Sequence, residues 1–280
     1  MSNQNPEQHP ERLVVPDEQE QRSAAPPRLL LTNDDGIESP GLRLLAQHLA
    51  TRHDLVVVAP DGNRSGAGTG IGRFDPHDGV ALRSAPLDGV EAYSIDGPPG
   101  LAVMAGVLGG FGRKPDLIVS GVNAGMNTGH SVIHSGTVGA ALTARTFGAD
   151  GLAISLGPSE PWHWETAVEI AGGVVEWMLK RRSDSKFVLN VNVPAVPITE
   201  IKGVRWAKLD EFGYFRVAMA DEPGERLQFE VASADSGRHP ECDTAQCFDR
   251  YVTLTPLTAI EAEPFPQDDA AAVCAWSNGR

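Results

Sequence analysis

The sequence predicts an α/β fold, a doubly wound, mostly parallel, Rossmann-like sheet followed by a C-terminal antiparallel hairpin arm for subunit contact. Three observations carry this expectation. Short apolar runs alternate with helical-period segments from residue 28 to about residue 200. Several of those runs are continuous and β-branched, as strands buried on both faces are. Past residue 200, strand-like segments follow one another without helices between them, which is antiparallel grammar.

The elements are read in order. "RLLLT" (28–32) is a buried strand, and "PGLRLLAQHLATR" (40–52) is a helix with Pro40 in its first turn and Leu42, Leu45 and Leu49 at helical spacing. "DLVVVAP" (54–60) is the next strand, which completes a βαβ unit. "EAYSI" (91–95) reads as a strand, "LAVMAGVLGGF" (101–111) as a helix, and "PDLIVSG" (115–121) as a strand. "GTVGAALTARTFG" (136–148) is a small-residue helix closed by Gly148. "GLAISL" (151–156), the helix "WETAVEIAGGVVEWMLKR" (164–181) and "KFVLNVNVP" (186–194) finish the alternation. "GVRWAKL", "GYFRVAMA", "RLQFEVASA" and "RYVTLTPL" are the strands of the arm, and "DDAAAVCAW" (268–276) is a candidate terminal helix.

Four segments follow: an acidic tail over 1–27 expected to be disordered, a metal- and phosphate-binding domain over 28–200, the arm over 201–257, and a tail over 258–280. A formal charge of −14 argues against a nucleic-acid polymer as partner. No apolar run is long enough to span a bilayer and no signal-peptide core precedes residue 28, so a cytoplasmic protein with no membrane partner is expected. Cys242, Cys247 and Cys274 do not form a disulfide framework.

In an open parallel sheet, ligands bind beyond the carboxyl ends of the strands. Those ends carry Thr32-Asn33-Asp34-Asp35-Gly36, then Asp61, Asn63, Arg64 and Ser65, then "DGPPG", then Ser120, Asn123, Asn127, Ser135 and Thr137. Adjacent carboxylates at Asp34 and Asp35 repel unless a cation, a proton or solvent relieves them. The accompanying amides and hydroxyls are hard oxygen donors, suited to Mg²⁺, Mn²⁺ or Ca²⁺. The hydroxyls of Ser135 and Thr137, at the start of a helix with Gly136 between them, suit a phosphate group. Metal, helix amides and hydroxyls together are what phosphoryl chemistry requires.

Other motifs carry less. The glycines at 66, 68, 70 and 72 lack the dinucleotide spacing and read as a flexible loop. Asp34 and Asp35 are adjacent, whereas a haloacid-dehalogenase-type phosphatase wants one residue between its aspartates. His239, Cys242 and Cys247 lack a fourth zinc ligand and read as loop residues. His130 and His134 could donate a proton or touch a base but read first as loop or pocket-wall residues, and Trp162, His163 and Trp164 could stack a nucleobase, with packing of a helix start the equal alternative.

"TNDDG" (32–36), "VVAPDGNRSGAG" (57–68), "PDLIVSGVNAGMNTG" (115–129), "SGTVGAA" (135–141), "NVNVP" (190–194) and "YVTLTPL" (251–257) resemble, in this order, the SurE family of survival protein E nucleotidases. The resemblance implies a metal-dependent phosphomonoesterase that hydrolyses nucleoside 5′- and 3′-monophosphates. It implies one divalent ion, Mg²⁺ or Mn²⁺, on Asp34, Asp35, Ser65 and Asn123, with Asp34 and Asp35 catalytic. It also implies Asn127, Ser135, Gly136 and Thr137 around the phosphate, Asn63, Arg64 and His134 as candidate pocket residues, and self-association as a dimer or tetramer through the arm. "GPPGLAV" (97–103), His134, Thr143-Ala144 and the segment 205–240 depart from the family pattern and bear on substrate choice. Two alternatives stand beside it: a SurE-like phosphatase for a specialised phosphorylated metabolite, and a non-catalytic nucleotide-binding or assembly protein.

Overall fold

The computed structural model describes residues 26–75, 77–181, 185–219, 229–233 and 239–258. The terminal helix expected over 268–276 lies outside them, as does the tail expected over 1–27 except for its last two residues.

Nine strands form one sheet in the order β3-β4-β2-β1-β5-β6-β7-β11-β8. Its parallel centre is β1 (Arg28–Thr32), β2 (Asp54–Pro60), β4 (Glu91–Ile95), β5 (Leu117–Ala124), β6 (Asp150–Leu156) and β7 (Val188–Val193). β1 and β2 are apolar on both sides because each faces two helix layers. In β1, Leu29 and Leu31 belong to one core and Leu30 to the other. The first core takes α1 (Pro40–Ala50) through Leu42, Leu45 and Leu49, and α4 (Trp164–Lys180) through Ala167, Ala171, Val175 and Met178. On the opposite face lie α2 (Pro99–Val107), through Leu101 and Val103, and α3 (Gly136–Thr146), through Ala140 and Ala144. The doubly wound expectation holds.

Three differences from the expected elements have local causes. The helix expected over 101–111 occupies Pro99–Val107: Pro99 suits the first helical turn, and Gly109, at φ 91°, turns the chain out of the helix. A short edge strand, β3 (Leu82–Ser84), pairs antiparallel with β4 although its three residues are exposed and carry no apolar signal. The strands past residue 200 also divide. β9 (Phe215–Met219) and β10 (Phe229–Ser233) form an antiparallel hairpin of their own, whereas β11 (Tyr251–Leu257) and β8 (Gly203–Trp206) extend the main sheet. β11 is antiparallel to β7 but parallel to β8. Parallel neighbours need a long crossover, and the chain between β8 and β11 supplies it with the hairpin and a short helix, α5 (Asp243–Phe248). Cys247 therefore lies in a helix rather than in a loop, and both Cys242 and Cys247 are free and buried. Burial pushes both thiols above the usual cysteine range.

Candidate active site

The carboxyl ends of β1, β2 and β5 and the start of α3 converge. The turn after β1 is built by Asn33, a fully buried residue whose Oδ1 accepts from Gly36 N (3.1 Å) and whose Nδ2 donates to Gly36 O (3.1 Å) and Ser39 Oγ (2.6 Å). Such a side-chain-closed turn fixes the two residues between its ends. Gly36 sits at φ 102°, and a Cβ there would lie 3.1 Å from the backbone of Gly62. The turn therefore holds Asp34 and Asp35 in place and brings the loop after β2 against them.

Asp34 is nearly fully buried and faces the N-terminus of α3. Its Oδ2 accepts from Gly136 N (3.1 Å), and its Oδ1 accepts a short hydrogen bond from Thr137 Oγ1. A carboxylate at this position is stabilised by the free amides and the helix dipole. The sequence reading placed a phosphate at this helix end, whereas the structure places Asp34 directly on it. Gly136 is required by the approach, since a Cβ there would lie 2.7 Å from Asp34 Oδ2. Ser135 is the N-cap, accepting from Val138 N at 3.1 Å, so its hydroxyl hydrogen stays available to an anion.

Among the described residues Asp35 accepts one long bond, from Ala124 N (3.4 Å). Burial first, then the neighbouring Asp34 charge, hold its carboxyl above the usual range, and the Ala124 bond opposes them. Among the described residues no positive side chain pairs with this carboxylate. Asn123, next to Ala124, donates from Nδ2 to Gly125 O (2.8 Å), which leaves its amide oxygen as the end suited to a cation. Ser65 is exposed, one residue from Arg64, whose N–H donates to Asp34 O (2.7 Å).

The remaining predicted residues are placed differently. The Arg64 guanidinium binds Asp61 (2.9 Å) and Asp96 (3.1 Å), so its charge is already shared between carboxylates. Asn63 Oδ1 accepts from Ser65 N (2.8 Å), a loop-closing contact. The His134 side chain is exposed, and its carbonyl accepts from Gly68 N (3.2 Å). The glycine loop is packed close rather than loose there: a Cβ on Gly139 of α3 would meet Gly68 O at 2.0 Å.

Asn127 sits in a polar layer that the sequence reading missed. Its N–H donates to Asn192 Oδ1 (2.8 Å), its carbonyl accepts from Asn190 Nδ2 (2.8 Å) and Asn192 Nδ2 (2.9 Å), and its Nδ2 donates to Ser155 Oγ (2.9 Å). One amide hydrogen of Asn127 remains for a ligand. The signal was present in "NVNVP": two asparagines at a period of two in a strand buried on both faces put both on one side. Asn192→Ala strands the Asn127 N–H in the interior and is expected to cost on the order of 1–3 kcal/mol. Urea unfolding checks this, and an unchanged midpoint would show that the layer carries no stability.

Residues 29–215 match the family described as Survival protein SurE. The chain is 40% identical over 182 residues to a 5′-nucleotidase SurE of Legionella pneumophila, covering 65% of this chain and 70% of that protein. It is 35% identical to a 5′-nucleotidase SurE of Aeromonas hydrophila, over 82% of this chain and 92% of the relative. A 5′/3′-nucleotidase SurE of Cronobacter sakazakii is 35% identical, over 82% and 89% respectively. The crystal structure of the SurE protein from Aquifex aeolicus superposes with a TM-score of 0.72 at 29% identity, covering 90% of this chain and all of that one. With a match over most of its length, and with the acidic turn of β1 seated on the N-terminus of α3, this chain belongs to the SurE family.

Proposed function

We propose that this chain is a divalent-metal-dependent phosphoric monoester hydrolase of the 5′-nucleotidase type, acting on nucleoside 5′- and 3′-monophosphates. The observation that carries the reading is the paired carboxylate: Asp34 fixed on a helix N-terminus, with Asp35 beside it unpaired with any cationic side chain among the described residues. The donor set fits Mg²⁺ or Mn²⁺, since such ions take one or two carboxylates and few other protein ligands. Asp34, Asp35, the Asn123 amide oxygen and the Ser65 hydroxyl would hold the ion. When bound, it neutralises the carboxylate pair and polarises the phosphoryl oxygens.

The chain's own groups do the rest. Ser135 donates its hydroxyl hydrogen to the phosphate, Asn127 offers its remaining amide hydrogen, and Gly136 and Thr137 fix the helix end that aims them. Each Asp34 oxygen already accepts one hydrogen bond and keeps a lone pair for the ion, so Asp35, the less engaged carboxylate, is the one to orient an attacking water and take its proton.

Phosphate release from a panel of nucleoside monophosphates and unrelated phosphomonoesters tests the substrate class. Release favouring nucleotides supports the reading. Release favouring another phosphoester moves the substrate to a specialised metabolite, the second reading, which "GPPGLAV" motivates. No release from any member contradicts both.

A stability measurement tests the pair itself. Burial and the Asp34 charge hold the Asp35 carboxyl above its ordinary value in the folded chain, so its contribution to stability is present in acid, below the ordinary carboxylate range, and is lost as pH rises through the raised value. Asp35→Asn mimics the protonated form. Without metal at neutral pH, its Tm is expected to exceed that of the wild type, and the difference to vanish in acid. Added Mg²⁺ is expected to raise the wild-type Tm and leave the variant's unchanged. A variant less stable than the metal-free wild type at neutral pH would contradict the assignment.

A further inference from the structure

We propose that Asn192 and Ser155 are positioning residues for phosphate binding: Asn192 fixes the backbone of Asn127 and Ser155 fixes its side chain, so that Asn127 presents its remaining amide hydrogen in one orientation. This rests on the phosphate seat assigned above and adds the residues through which one of its groups is held.

The need for such residues follows from where the strand pairing stops. β5 is paired with β6 as far as Ala124 and Leu156, and one further bond runs from Gly125 N to Leu156 O (2.9 Å). Asn127 lies past that point, and a single side chain takes over from the ladder. Asn192 Oδ1 accepts from Asn127 N (2.8 Å), and Asn192 Nδ2 donates to Asn127 O (2.9 Å). A planar amide that bonds both backbone groups of one residue fixes that residue's place and orientation. Asn190 Nδ2 adds a second bond to the same carbonyl (2.8 Å). Ser155 stands beside Asn192 in the register of β6 and β7, and its Oγ accepts from Asn127 Nδ2 (2.9 Å), which sets the side-chain rotamer. Asn192 and Ser155 are both fully buried.

Stability alone is a poor reason for this layer. The register places Ser155, Asn190, Asn192, Thr253 and Thr255 on one face of β6, β7 and β11. Polar groups on a buried face cost free energy unless they are bonded, yet among the described residues Asn190 Oδ1, Thr253 Oγ1 and Thr255 Oγ1 have no partner. Local rules of this kind are broken where function requires it, and the group that the layer does bond is Asn127. The loop beyond Asn127 is tethered separately. Asp243, fully buried on α5, accepts from Gly129 N (3.0 Å), Asp210 N (3.0 Å) and Thr244 N (2.8 Å). Removing the Asn192 amide therefore frees Asn127 without releasing the loop.

The test is a double-mutant cycle on Asn127 and Asn192, with adenosine 5′-monophosphate as substrate and inorganic phosphate as competitive inhibitor. Asn127→Ala and Asn192→Ala are each expected to raise KM and the phosphate Ki together, roughly tenfold, with kcat and the Mg²⁺ concentration for half-activation unchanged. The double variant is expected to be no worse than Asn127→Ala, because residues that act through one group are not additive. A lower Tm in Asn192→Ala with wild-type KM and Ki, or effects that multiply in the double variant, would overturn the positioning role. If Asn192→Ala fails to fold by circular dichroism, Ser155→Ala decides, since it deletes one hydroxyl: a raised phosphate Ki is expected, and an unchanged one overturns the role. Wild-type KM and Ki in Asn127→Ala would overturn the phosphate seat and the positioning role with it. Should no phosphoester be hydrolysed, the nucleotidase reading fails on turnover, and the same cycle read as the Kd of inorganic phosphate by calorimetry in Mg²⁺ still decides the positioning role.

Discussion

Asp34→Asn is expected to keep the fold and to lower kcat by on the order of 10³-fold, the scale of removing one preorganised electrostatic contact from a reaction centre. The amide is nearly isosteric, so packing against Gly136 survives, and its oxygen still accepts from one donor. Its NH2 group, however, presents hydrogens where Asp34 accepts from Gly136 N or Thr137 Oγ1. Half the charge of the carboxylate pair is also gone, and with it most of the attraction for a divalent ion. Steady-state kinetics together with circular dichroism separate loss of catalysis from loss of fold. A folded variant of near wild-type activity would show that the pair is not the reaction centre.

Gly136→Ala makes the second large change by geometry alone. No charge or hydrogen-bonding group is altered, and alanine is the better helix former at this helical position. Its Cβ would nevertheless sit 2.7 Å from both Cβ and Oδ2 of Asp34, closer than real contacts allow. Asp34 must rotate or α3 must shift. A displacement near 1 Å at a reaction centre costs about 10²-fold, and that fall in kcat/KM is expected with little change in Tm. Gly62→Ala is the matched control, because a Cβ there meets nothing within 4 Å. If Gly136→Ala matched the control in activity, the seating of Asp34 on α3 would be irrelevant to function.

The parallel centre was legible because burial on both faces writes itself as continuous apolar runs, as in "LLL" of β1 and "LVVVA" of β2. Pairing direction leaves no such local mark. Nothing in "GVRW" or "YVTLTPL" says that these segments lie side by side and parallel at the sheet's edge, because the crossover that decides it is made elsewhere in the chain. The site shows the same division. Asp34, Asp35, Gly136 and Thr137 stand out by residue type at strand and helix ends, but which group occupies the end of α3 depends on how two distant segments approach. Asn190 and Asn192 were readable from their period in a buried strand. Asp243 was not, since "ECDTAQ" has no periodicity and its three partners lie at positions 129, 210 and 244.

The most direct test of the central claim is hydrolysis of adenosine 5′-monophosphate by the wild-type protein after exhaustive chelation, followed by stepwise return of Mg²⁺ or Mn²⁺. No phosphate release in chelator, with release restored in proportion to the added ion, is the expected result. Undiminished release in chelator would contradict a metal on the Asp34–Asp35 pair.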